Sequence, residues 1–185
     1  ITVTAAPEGV RCTLTVTAGE GPGAKTQSVE ILYTAYRFPE LASNWVQPSK
    51  DAAAVSGDYA FYTHWTTTVS SRKTVRNYSY CYDTRRHNPI WVAYPMHESY
   101  TKGTADGQNK DWKFDPIIPS FVQPDLSSSY KPSDSFSRGH MLASNDRQSD
   151  RATNRQTFYY TNMSPQIQTG FNGGIWATFE QKCHN

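Results

Sequence analysis

The sequence predicts an α+β protein. It should hold a mixed, mainly antiparallel sheet and a strand–strand–helix unit gathering polar groups, with a short all-β segment in front. Three observations support this. Val10, Cys12, Leu14 and Val16 alternate with polar residues, the period of two that a half-buried strand requires. Runs 59–65, 75–82 and 89–95 are aromatic and β-branched, and the turn-rich 83–88 between the last two reads as a hairpin. In 134–180, His140, Asn162 and Asn172, followed by Glu180, each stand where a regular element begins or ends.

Composition sets the outer bounds. The 185 residues suffice for one good core. Twelve Tyr and five Trp argue for a folded domain and against disorder. No run approaches the roughly 18 apolar residues that span a bilayer. A net charge of +2 does not by itself point to a polyanionic partner. Cys12, Cys81 and Cys183 match no zinc spacing and allow either one disulfide with a free thiol or three thiols. Richness in Thr, Ser and Tyr leads us to expect a secreted or periplasmic protein. The start at Ile1, without Met or apolar leader, leads us to expect a trimmed product.

Residues 1–34 contain three strand-like runs, the second and third separated by the Gly-rich 19–25. They are too few for a β-sandwich of about 100 residues. They form either an edge extension of the main domain or, the reading we prefer, the tail of an upstream sandwich. Residues 35–57 lose the alternation and read as a linker, which leaves 58–185 as the main domain. Arg85, Arg86 and His87 read as solvated turn residues. The stretch 97–133 lacks periodicity, and loops of such length are usually functional or mobile. Residues 149–156 read as a short polar helix or turn.

In 134–180, residues 136–140 read as a strand closing on His140. Residues 158–161 have strong strand preference and read as a second strand closing on Asn162. Ile175, Trp176 and Phe179 recur at helical spacing after Asn172, with Ile175 and Trp176 facing a core. Two strands and a helix thus bring one polar group each to a common spot, the way a small metal site is built.

At this point residues 137–140 (SRGH), 161–166 (TNMSPQ), Phe171-Asn172 and Trp176 through Glu180 resemble the DNA/RNA non-specific endonuclease family over residues 58–185. The resemblance implies a ββα-metal (His-Me finger) core and hydrolysis of DNA and/or RNA. His140 suits the role of general base, because an imidazole titrates near neutrality and can take a proton from attacking water. The metal implied is Mg²⁺, with Mn²⁺ or Ca²⁺ as substitutes, since hard cations take oxygen ligands and keep several waters. Asn172 would ligate it directly, as its counterpart does in the family. Glu180 lies about 12 Å further along a helix axis and would act through water. No His/Cys cluster supports zinc.

The family places a catalytic arginine where this chain has Lys110, which keeps the charge but lacks the planar fork that grips two phosphate oxygens. Either Lys110 acts as a point charge, or Arg138 or Arg147 supplies the clamp. Arg138 either pairs with phosphate or packs structurally. Arg147 is expected to bind substrate. Asn162 orients His140, contacts phosphate or simply forms a turn. Ser137 replaces the aspartate of many relatives, and His184 falls where some have arginine. No element reads base edges, so little sequence preference is expected. Relatives continue beyond the metal helix, and a second polypeptide completing the domain is a further expectation. The alternatives are a non-catalytic nucleic-acid or surface-binding protein on the same scaffold, or a carbohydrate or adhesion module at 1–34.

Overall fold

The computed structural model describes residues 11–18, 21–23, 25–32, 42–67, 73–105, 111–128, 130 and 135–184. The chain divides into two units, Ile1–Leu41 and Ala42–Asn185. In the first, β1 (Arg11–Ala18) pairs antiparallel with β2 (Lys25–Leu32), in register from Arg11 opposite Leu32 to Ala18 opposite Lys25. The turn between them contains Gly21–Gly23, as the glycine-rich spacer predicts. The expected run at 1–5 lies outside the described residues.

The second unit is built on a four-stranded antiparallel sheet in the order β3 (Ala54–Ser56), β4 (Tyr59–Thr67), β5 (Thr74–Asp83), β6 (Asn88–Ala93). Three of these strands fall where the aromatic runs place them. The end of the expected linker is different. Residues 54–56 form the edge strand β3, and Trp45 packs edge-on against Phe61 and beside Trp91.

β5 is buried on both faces from Asn77 to Asp83. Tyr78, Tyr80 and Tyr82 line one face and join Ala60, Tyr62, Ile118 and Leu142 in the core. Aromatic rings bury large areas at small entropic cost, so this tyrosine stripe gives a chain of modest hydrophobicity its core. Behind it, Asp115 is buried and takes hydrogen bonds from the Thr161 hydroxyl (2.7 Å) and the Ile117 amide (2.9 Å), with His64 Nε2 2.8 Å away. Burial alone would raise the Asp115 pKa, but His64 and these donors hold it below the usual carboxylate range. The stretch around Asp115 in the loop expected at 97–133 is therefore tied down. The loop carries α1 (Glu98–Thr101), and the Gln123 side chain accepts from the Asp115 amide and donates to the Asp115 and Ile118 carbonyls.

A second, two-stranded antiparallel sheet joins β7 (Phe136–His140) to β8 (Met163–Ile167), with His140 opposite Met163. Between them α2 (Arg151–Gln156) starts at Asp150, whose carboxylate caps the Thr153 amide at 2.9 Å. The strand expected at 158–161 is absent. Tyr160–Asn162 forms a tight turn instead, and β8 begins only at Met163. After β8 the chain breaks at Thr169 and Gly170, then coils through the wide helical segment Gln168–Trp176 into α3 (Ala177–His184). This helix is as expected, but of the two residues expected to face a core, Ile175 is 73% exposed, whereas Trp176 is half-buried and packs against Phe171 and Phe179. Among the described residues no helix is long and apolar enough to cross a membrane.

Candidate active site

His140 closes β7 as the sequence predicts, and its ring packs with two aromatic side chains in a three-ring cluster. Trp112 and Phe158 each lie 5.2 Å from the imidazole centroid, and their own rings meet edge to face at 5.0 Å. Trp112 arrives from the 111–115 piece, which pairs through Lys113 with Tyr159. The glycine before the histidine has a steric cause. A Cβ at Gly139 would come within 2.1–2.4 Å of the Gln166 side chain, which lies over the strand there.

Arg138 is engaged within the fold. Its guanidinium lies 4.2 Å above the Trp112 ring and donates to the Leu126 carbonyl at 2.9 Å. The structure thus favours the packing alternative. Arg138 holds Trp112, and Trp112 holds the imidazole.

Asn162 is fully buried and cannot meet a substrate phosphate. Its Oδ1 accepts the Leu142 amide at 2.9 Å, and its Nδ2 donates to the Leu142 and Thr157 carbonyls at 2.9 and 2.8 Å. The Met141 amide also donates to the Asn162 carbonyl, at 2.9 Å. Asn162 therefore brackets the two residues after His140 and fixes where β7 ends.

Arg147 requires a correction. Expected to bind substrate, it is fully buried. Its guanidinium donates to Asn77 Oδ1 (2.6 Å) and to the carbonyls of Asn77 (3.0 Å), Pro95 (2.9 Å) and Asp146 (2.6 Å). The faces of Tyr94 and Tyr100 enclose it. Burial lowers its pKa to about 10, so it stays charged at neutral pH. Arg147 staples β5, the exit of β6 and α1 together. Lys110 lies outside the described residues.

Asn172 and Glu180 sit on the segment that ends in α3. A cavity of about 500 Å³ separates that segment from the turn after β7. Ala143, Asn145 and Asp146 line one wall; Gly173, Gly174, Ala177, Glu180 and His184 line the other. His140 precedes the first wall by three residues, and Asn172 directly precedes the second. Burial raises the Glu180 pKa and nearby Asp146 adds to the rise, while the Trp176 indole, donating at 2.9 Å, opposes both. His184 Nδ1 lies 3.0 Å from the buried Asp146 carboxylate, tying the end of α3 to the β7 turn.

These donors are hard oxygens: an amide at 172 and carboxylates at 180 and 146. Among the described residues no three His, Cys, Asp or Glu gather closely enough to hold a metal alone. Few protein oxygens beside a roomy cavity fit a hydrated Mg²⁺, which keeps most of its waters, better than a thiol- or imidazole-bound ion. Cys81 is a buried free thiol whose pKa burial raises to about 11, and Cys183 is free and exposed, so these two form no disulfide with each other. Sequence reasoning missed Trp112 as the support of His140. It also missed Asp146, whose depth no local pattern reveals.

The model of the DNA/RNA non-specific endonuclease family matches residues 56–185. The mitochondrial nuclease of Saccharomyces cerevisiae is 33% identical over 104 residues, covering 56% of this chain and 31% of that protein. Endonuclease G, mitochondrial, of Caenorhabditis elegans is 30% identical over 145 residues, covering 77% of this chain and 44% of that protein. A crystal structure of an EndoG/EndoGI complex superposes with a TM-score of 0.51 at 25% identity, covering 75% of this chain and 49% of that one. The chain thus spans less than half the length of these relatives. The mitochondrial names of the curated relatives overturn the secreted or periplasmic expectation. That expectation rested on overall richness in Thr, Ser and Tyr, and three of the tyrosines, Tyr78, Tyr80 and Tyr82, are core residues of the sheet. The α+β fold with its antiparallel sheets, the strand-end histidine and the match over 56–185 agree: the chain belongs to the DNA/RNA non-specific endonuclease family.

Proposed function

We propose that this chain carries the catalytic centre of a metal-dependent endonuclease that hydrolyses phosphodiester bonds of DNA and/or RNA with little sequence preference. The observation that carries the reading is the placement of His140. It sits at a strand end, packed against Trp112 and Phe158, three residues before Ala143, which lines a cavity whose other wall holds Glu180 and begins one residue after Asn172.

In this reading His140 accepts the proton of the water that attacks phosphorus. Packing against the two rings limits rotation of the imidazole, so the base meets the water in one orientation. Asn172 would hold Mg²⁺ (Mn²⁺ or Ca²⁺ in its place) through Oδ1, and Glu180 through an intervening water. When bound, the ion supplies positive charge to the phosphate and the leaving oxygen. Lys110 remains the candidate for a point-charge contact to a neighbouring phosphate. Arg138 and Asn162 act on the base through Trp112 and the Leu142 backbone, not on the substrate. The exposed face of Phe171, Ile175 and Phe179 offers an apolar packing surface to a second polypeptide.

Supercoiled plasmid and a structured RNA, incubated with Mg²⁺ and with EDTA, test the reading. Cleavage should require the ion, and Asn172→Ala should raise the Mg²⁺ concentration for half-maximal rate by about tenfold or more, as loss of one direct ligand implies. Cleavage that persists in EDTA, or binding of either nucleic acid without cleavage at any Mg²⁺ concentration, would favour the non-catalytic alternative.

A further inference from the structure

Asn172 ends in an amide that can turn either its oxygen or its nitrogen outward, and only the oxygen can ligate a cation. The neighbouring Gln168 decides between them. Gln168 Oε1 accepts a hydrogen bond from Asn172 Nδ2 at 3.0 Å, which engages the nitrogen and leaves Oδ1 free of any acceptor role among the described residues. The same Oε1 accepts from the Ser137 hydroxyl on β7. The Gln168 amide donates to the Ser135 carbonyl at 2.8 Å. On its other side, Gln168 Nε2 lies 2.9 Å from the place a Cβ on residue 173 would take, so only glycine there leaves the side chain its seat. Backbone and side chain are both held.

We propose that Gln168, anchored by Ser137, is a positioning residue that turns the Asn172 amide oxygen towards the cation. The inference rests on the reading of Asn172 as a ligand and adds to it the device that sets its orientation. It also gives Ser137 a role where many relatives carry aspartate. A hydroxyl donates to Gln168 Oε1, whereas an ionised carboxylate has no proton to give and would draw the Gln168 Nε2 end towards itself. The chain's own pair, serine with glutamine, keeps Oε1 as the shared acceptor.

Terbium luminescence tests this without substrate. Tb³⁺ is a hard cation that takes oxygen ligands, and Trp176, whose indole bonds to Glu180, can sensitise its emission. Gln168→Ala should raise the half-saturating Tb³⁺ concentration about fivefold, the factor one ordinary hydrogen bond supplies. Gln168→Glu, which keeps an acceptor at the same reach, should bind at least as tightly as the wild type. The thermal midpoint of both variants should match the wild type, because Gln168 is exposed. Unchanged affinity in Gln168→Ala, or equal losses in both variants, would overturn the positioning role. Asn172→Ala in the same titration separates the two layers. If it binds Tb³⁺ as the wild type does, the ligand assignment itself fails; if it weakens binding while Gln168→Ala does not, only the positioning inference fails.

Discussion

His140→Ala is expected to lower the rate of plasmid cleavage by about 10²–10⁴-fold at saturating Mg²⁺, the span that a positioned general base contributes. The Mg²⁺ concentration for half-maximal rate should change little, because the imidazole holds no ion in the proposed arrangement. The substitution also removes a ring packed against Trp112 and Phe158, so some stability is lost with it. His140→Asn keeps a planar polar group against the same rings and should be equally slow. A thermal midpoint measured alongside separates lost chemistry from lost fold. Cleavage by His140→Asn at the wild-type rate would remove the histidine from the mechanism.

Arg147→Ala should cause the largest loss of stability of any single change considered, about 3–5 kcal/mol. Large-to-small core substitutions reach this range, and here three carbonyls and an amide oxygen are stranded as well. Domains of this kind hold about 5–15 kcal/mol in total, so the variant would be partly unfolded near body temperature. Arg147→Lys should recover only part of the loss. An ammonium keeps the charge between Tyr94 and Tyr100 but cannot reach Asn77, Pro95 and Asp146 together. Urea midpoints measure both effects. A shift below about 1 kcal/mol for the alanine variant would show that these bonds matter little, and would reopen a surface role for the residue.

Arg147 also marks what sequence can and cannot show. Its letters read as a cation in a polar stretch; nothing local says that β5 and two tyrosines close over it. Strand β7 was legible because its end coincides with the Arg-Gly-His motif, and the three sheet strands because aromatic runs alternate with turns. Residues 158–161 have the same aromatic character yet form a turn. β-preference reports how well a side chain suits a half-buried surface, and here that burial comes from other partners. Phe158 packs on Trp112 and His140, while Tyr160 enters a small core with Leu126 and Met163.

The helix after Asn172 was legible as a helix but not in its surroundings. A period of 3.6 identifies an apolar face without saying what covers it, and Ile175 proves exposed. Trp112 carries no local signal of its role. Its contact with His140 joins residues far apart in sequence, which no spacing rule captures.

In the proposed arrangement His140 and Asn172 serve one cation-and-phosphate site. Anomalous diffraction from crystals containing Mn²⁺ and a non-cleavable phosphorothioate oligonucleotide tests it most directly. The account predicts one strong peak about 2.1–2.2 Å from Asn172 Oδ1, with a water between the ion and Glu180 and a phosphate between the ion and His140. A peak seated instead on Asp146 and His184, or a phosphate bound with Asn172 uninvolved, would contradict it.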